Sequence, residues 1–121
     1  MMMRYFEYDV PSVFLYYSSD LEDLTKFNEI LWGIEEEGIP CDVVCKEEHL
    51  NSEELSHTAS QSSKLSVGIG VDGTGKVTLT YNKLKKDKPL FTINLNNDVT
   101  LLRALGANAG RLVKGIAFKE L

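Results

Sequence analysis

Four side chains able to bind a soft metal lie close together in the sequence: Cys41, Cys45, His49 and His57. Their spacings of 4, 4 and 8 lack the C-x2-C step common in structural zinc sites. The cysteines sit in Cys41-Asp42-Val43-Val44-Cys45, which reads as a strand. At ~3.3 Å per residue they stand about 13 Å apart, too far for a disulfide or for one ion. Two free thiols are expected, and with them a reducing, cytosolic setting. Gly68-Ile69-Gly70-Val71-Asp72-Gly73 matches the G-x-G-x-x-G dinucleotide fingerprint. Gly70-x4-Gly75-Lys76 approaches a phosphate loop, with Val77 in place of the metal-binding hydroxyl. Both motifs present phosphate to a helix N-terminus. Here a β-forming run follows, so a glycine-rich hairpin is expected and no nucleotide site. Neither histidine has a Ser, Cys or Asp at a recognisable catalytic spacing, and no catalytic residue is assigned.

A second cluster is acidic. Glu35-Glu36-Glu37 closes a helical run with Leu21, Leu24, Phe27, Leu31 and Ile34 on one face. Ser19-x-x-Glu22 is expected to open that helix as a capping box, and Gly38 and Pro40 to stop it. At a helix C-terminus each carboxylate loses roughly 0.3–1 kcal/mol to the macrodipole, a local conflict of the kind that marks functional sites. At about 100° per residue, Glu36 lies about 160° from the face of Leu24, Phe27, Leu31 and Ile34, with Glu35 and Glu37 on its flanks. Trp32, one turn earlier, falls on the side of Glu36, as an interface anchor does. Glu36 is therefore the expected partner-facing acid. A final helix is expected from about Asn97 to Lys114, with Leu101, Leu102, Leu105, Ala109 and Leu112 inward. The same geometry turns Arg103, Ala107, Gly110 and Lys114 outward. Gly106 and Gly110 each cost about 1 kcal/mol relative to alanine in a helix. That smooth strip either receives another chain or packs tightly within this one.

The elements that must position these residues follow from periodicity. Residues 1–11 read as an N-terminal arm and residues 12–121 as a single α/β domain. Val13-Phe14-Leu15-Tyr16-Tyr17 is a strand buried on both faces. Strand 41–45 follows the first helix. A short second helix runs to about Ser62, with Asn51 and Glu54 as capping partners and Leu50 and Leu55 as a hydrophobic staple. Runs 65–71 and 76–81 form a hairpin around Asp72-Gly73-Thr74-Gly75. A solvated lysine turn, 83–88, leads to a last strand, 90–93. The order β-α-β-α-β-β-β-α with right-handed crossovers gives a three-layer α/β/α fold. Its five-stranded mixed sheet has the order 2-1-3-4-5, and only strand 4 is antiparallel.

The 121 residues suit one domain with a self-sufficient core. The net charge of −5 divides unevenly: residues 1–60 carry 3 basic and 14 acidic side chains (−11), residues 61–121 carry 10 and 4 (+6). Such a split predicts faces of opposite sign for different partners. The N-terminus has no apolar h-region, so no secretory signal is expected. No apolar run reaches the ~18 residues of a membrane span.

Four segments together carry a resemblance. Gly33-Ile34-Glu35-Glu36-Glu37-Gly38-Ile39-Pro40, Val67-Gly68-Ile69, Pro89-Leu90-Phe91 and Asn108-Ala109-Gly110-Arg111-Leu112-Val113-Lys114-Gly115-Ile116 occur in order at compatible spacing. Over residues 13–121 they resemble the small subunit of the diol/glycerol dehydratase reactivating factor. The chain departs from that pattern at Ala117, where proline is expected, and in its longer aromatic arm. The resemblance implies a chaperone-like, non-catalytic subunit that helps release damaged cobalamin from an adenosylcobalamin-dependent dehydratase by subunit exchange. It implies two protein partners, the reactivase large ATPase-like subunit and the dehydratase large subunit, and neither nucleic acid nor membrane. No cofactor is implied on this chain alone. Mg²⁺ and ADP or ATP belong to the large partner subunit, and cobalamin belongs to the client dehydratase. By position, Glu36 is the acid implied to reach the partner subunit's Mg²⁺ site. Trp32, Glu35, Glu37, Arg103, Arg111 and Lys114 are the interface residues expected around it. The family's fold is similar to the class II synthetase anticodon-binding domain, in agreement with the strand order above. Two alternatives stand beside this reading: a dehydratase medium-subunit-like domain contacting cobalamin directly, and an RNA-binding module of anticodon-binding-like fold. The acidic first half opposes the second. The implied location is cytoplasmic, with association to a bacterial microcompartment left open, as is the choice between diol and glycerol dehydratase.

Overall fold

A computed structural model describes residues 10–121, so the first nine positions of the expected arm lie outside the described residues. The unbroken β-forming run Val13–Ser18 forms β1, an interior strand of the sheet whose residues are buried or partly buried on both faces. It pairs in parallel with β2 (Cys41–Lys46) on one side and β3 (Val67–Val71) on the other. β4 (Lys76–Tyr81) runs antiparallel to both β3 and β5 (Phe91–Asn94). The sheet order is β2-β1-β3-β4-β5, with β4 the antiparallel strand, as expected. Helices α1 (Asn28–Glu36) and α3 (Val99–Lys114) share the larger core, built on Val13, Leu15, Ile69, Val77 and Leu79. Helix α2 (Ser52–Ser62) covers the opposite face through Tyr16, Leu55 and Ala59.

The first helix starts later than its periodicity predicts. Ser19 does not cap it: its N–H is donated to the Lys46 carbonyl at 2.9 Å, continuing the tie between β1 and β2. The chain then turns and passes through a 3₁₀ segment, Leu24–Phe27, whose first donor, Thr25 N, is capped by the Asp23 carboxylate at 3.0 Å. The later start also turns the buried face. Phe27, Ile30, Gly33 and Ile34 are buried, Leu31 is partly buried, and Leu24 is 42% exposed. Relative to the expected face of Leu24 and Leu31, the buried arc is rotated by about a quarter-turn toward Gly33. Helix α2 begins as expected, with the reciprocal capping box of Asn51 and Glu54.

The fingerprint glycines serve packing. A Cβ at Gly68 would overlap the backbone of Ser56 and Ser60, and one at Gly70 that of Ser52 and Ser56. Bare backbone at these positions lets α2 lie directly on β3. Asp72 closes the hairpin, its Oδ1 accepting from Thr74 N at 2.9 Å and Lys76 N at 3.1 Å. A strand follows the glycines, so no helix N-terminus is presented to phosphate.

The glycine strip of α3 also turns inward, which corrects the outward position expected for Ala107 and Gly110. Both are buried. A Cβ at Gly106 would overlap the backbone of Ile30, and one at Gly33 would overlap Arg103 O and come within 2.8 Å of Ala107 N. The two helices therefore meet backbone to backbone, with a glycine contributed by each. An exposed helical Gly→Ala change stabilises by about 1 kcal/mol. Gly106→Ala should have the opposite sign and destabilise by about 1–3 kcal/mol in urea unfolding, because neither backbone can yield without moving its helix.

Candidate functional site

Close approach of α1 and α3 sets the acids of the first half of the chain against the cations of the second. Arg103 is the hub. Its Nη1 donates to Glu36 Oε2 at 2.7 Å, while Nε and Nη2 each lie 3.0 Å from Glu29 Oε1. Its guanidinium carbon stands 5.5 Å from the centre of the Trp32 ring, a cation–π arrangement. One residue beyond the end of α1, Glu37 accepts from Lys114 Nζ at 2.7 Å and from Arg111 Nε at 3.1 Å. Arg111 also donates from Nη1 to the Ala117 carbonyl, fixing the start of the C-terminal tail. Asn108, fully buried in α3, holds that tail further along by accepting from Lys119 N at 2.6 Å and donating to Lys119 O at 2.9 Å.

The three consecutive glutamates thus have three different environments. Glu37 is only 11% exposed, and the Lys114 ammonium holds its carboxyl below the usual range, with Arg111 assisting against the opposing effect of burial. Glu36 is 53% exposed and engaged through one oxygen, leaving Oε1 without a hydrogen bond among the described residues. Glu35 is exposed and has no ion-pair partner among the described residues. Trp32 is 47% exposed beside Glu36, and a shallow groove of about 380 Å³ runs from it past Glu29 to Val99 at the start of α3.

These positions modify the expected geometry. Arg103 and Arg111 are turned toward α1 and paired, and Lys114 reaches back to Glu37, because the rotated buried arc of α1 brings its acids beside α3. Glu36 accordingly sits on the flank next to α3 and not at the pole opposite the core. Part of the charge split between the two halves is neutralised within the molecule. Glu29 was not singled out from sequence, although it shares a helical face with Trp32 and Glu36 at i, i+3 and i+7.

The soft-ligand cluster disperses. Burial, assisted by Asp42, pushes the Cys41 thiol up to about 12, so it stays protonated at neutral pH and is a poor ligand and nucleophile. Cys45 is free and exposed. His49 Nδ1 lies 2.6 Å from Asp20 Oδ2 on the surface. Among the described residues no three metal-ligating side chains converge. A hard divalent ion takes six or more oxygen ligands. Glu36, with one unengaged oxygen on an exposed carboxylate, fits the contribution of one ligand to an ion held mainly by another chain. Among the described residues no helix is long and apolar enough to cross a membrane.

Residues 10–119 match the family described as dehydratase medium subunit, and the chain belongs to that family. Its relatives there are small subunits of dehydratase-reactivating factors. It is 38% identical over 111 residues to the Citrobacter freundii protein described as "Probable glycerol dehydratase-reactivating factor small subunit", covering 92% of this chain and 95% of that one. A solved chain of "Glycerol dehydratase reactivase" superposes with a TM-score of 0.89 at 38% identity, over 91% of this chain and 97% of that one. A second, from "Structure of diol dehydratase-reactivating factor complexed with ADP and Mg2+", gives 0.84 at 33% identity, over 93% and 100%. The likeness therefore extends over sequence, sheet order and nearly the full length of each relative.

The Glu37 cluster has a pH signature. Its folded-state pKa lies below the ordinary value of 4.5, so the folded protein binds fewer protons than the unfolded chain. The stabilisation is complete above that value and is lost as pH falls through the depressed folded value. Urea unfolding of wild type and Glu37→Gln should show wild type more stable between about pH 5 and 7, with the difference shrinking steadily below about pH 4.5.

Proposed function

We propose that this chain is the non-catalytic small subunit of a two-subunit factor that reactivates an adenosylcobalamin-dependent diol or glycerol dehydratase. One observation carries the reading: a medium-subunit fold spans residues 10–119 of a chain whose relatives are reactivating-factor subunits. A protein built on the plan of one dehydratase subunit has the shape to take that subunit's place. By doing so on the dehydratase large subunit it opens the cofactor site, so that damaged cobalamin leaves and intact cofactor rebinds. The working unit is the domain of residues 12–121. Two free thiols suit a reducing cytoplasm.

In the resting factor the chain is held by the large, ATPase-like subunit, which carries the nucleotide and Mg²⁺. The solved relative with ADP and Mg²⁺ supports that placement. Glu36 gives one hard oxygen to the ion's shell, which suits Mg²⁺ better than nitrogen or sulfur would. Its contribution depends on the nucleotide state of the partner, so nucleotide exchange weakens the contact and frees this chain to engage the dehydratase. Trp32 and Glu35 provide contact area around it, while Glu37, Arg111 and Lys114 keep the end of α1 rigid.

Two binding measurements test this. Isolated dehydratase medium subunit should compete with this chain for the dehydratase large subunit; absence of competition contradicts the exchange step. Glu36→Gln should weaken association with the reactivase large subunit in Mg²⁺-ADP and leave metal-free association unchanged. Unchanged affinity in both conditions removes Glu36 from the mechanism. Cobalamin bound by the isolated chain, followed by absorbance, favours a cofactor-contacting medium subunit instead.

A further inference from the structure

We propose that Arg103 is the positioning residue for Glu36, holding one carboxylate oxygen so that the other is aimed at the partner subunit's metal; this rests on the reading of Glu36 given above. Arg103 is immobilised independently of Glu36. Its Nε and Nη2 are held by Glu29 Oε1 at 3.0 Å, and its guanidinium carbon lies over the Trp32 ring, 5.5 Å from the centre. Only Nη1 is spent on Glu36, at 2.7 Å and on Oε2 alone. A glutamate at the exposed end of a helix otherwise samples several rotamers, and that freedom is lost on coordination. Here one oxygen is pinned in advance and Oε1 remains available. Carboxylates that ligate metals are themselves commonly hydrogen-bonded in this way, and such outer partners set ligand orientation.

Glu29 has a distinct part. A lone guanidinium next to a ligating carboxylate repels an approaching cation. With Glu29 on its other edge, the Arg103–Glu29 pair has no net charge, and the fork orients Glu36 without opposing the ion. Arginine suits the position because its planar fork bridges two carboxylates at once, which a lysine ammonium on a flexible stem does not do with fixed geometry.

The test uses the full-length chain with its large subunit, measuring the dissociation constant with Mg²⁺-ADP and without metal. Arg103→Met should lower the metal-dependent gain in affinity by about 10-fold or more, over and above any loss it causes without metal. Arg103→Lys, which keeps the charge but not the planar fork, should recover only part of that loss. It also provides the same reading if the methionine variant fails to fold. On a Glu36→Gln background Arg103→Met should have no further metal-dependent effect. Emission from Trp32, the single tryptophan of the chain, reports separately on whether the Arg103 variants keep the local packing. Equal loss of affinity with and without metal overturns the proposal, since that is a general interface or folding effect. An effect of Glu36→Gln with none from Arg103→Met overturns the role of Arg103 alone. Full metal dependence in Glu36→Gln overturns the reading of Glu36 and this inference with it.

Discussion

The backbone contact of α1 with α3 is the constraint on which the rest depends. Gly33 and Gly106 each leave room for the other helix's backbone, and a methyl group at either position would collide with carbonyl or amide atoms. At that separation, side chains of ordinary length bridge from one helix to the other. Arg103 reaches both Glu29 and Glu36, and Lys114 and Arg111 both reach Glu37. With the helices a side-chain layer further apart, the ion pairs would be solvent-separated and worth little. Glycine in a helix is costly. Here the cost is offset by an arrangement in which charged side chains have fixed positions on an otherwise mobile surface.

The ionic cluster changes the meaning of the charge asymmetry. Part of the contrast between an acidic first half and a basic second half is two helices that neutralise each other across one seam, Glu29, Glu36 and Glu37 against Arg103, Arg111 and Lys114. The unneutralised remainder is more informative than the total. Glu37 is satisfied on both oxygens, Glu36 on one, and Glu35 on neither among the described residues. A carboxylate that is held but incompletely satisfied has the properties needed for a single ligand donated across a subunit boundary: it is charged, oriented and accessible.

Strand order, the antiparallel fourth strand, the second helix with its Asn51–Glu54 box and the hairpin at Asp72 were all legible in the sequence. Each rests on local chemistry: short runs rich in β-branched and aromatic residues, a capping pair at the right spacing, and a turn of Asp and Gly. The start of the first helix was not. Ser19-x-x-Glu22 has the composition of a cap, but the Ser19 N–H is already committed to Lys46, a tertiary bond that local sequence does not display. The wheel drawn from Leu24 and Leu31 was turned as a consequence, which is why Glu36 was placed at the outer pole and the partners of Arg103 were not anticipated. Glu36 itself was reached by two routes, the helical wheel, although its core face was turned from the observed one, and its central place in the E-E-E run of the family resemblance. Glu29 was missed because its role exists only when α3 lies against α1, although its i, i+7 relation to Glu36 was available.

A medium-subunit fold in a chain related to reactivating-factor subunits links architecture to the proposed exchange through shape: the chain resembles the subunit it is proposed to displace. In the proposed mechanism the metal contact would set when displacement occurs, through one Glu36 oxygen that Arg103 directs across the glycine seam. The most direct measurement is a crystal structure of the chain bound to its large subunit with Mn²⁺-ADP in place of Mg²⁺-ADP, the ion located by its anomalous signal. The account predicts Glu36 Oε1 within the manganese coordination shell and Oε2 still hydrogen-bonded to Arg103. A complete manganese shell that excludes Glu36 would contradict it.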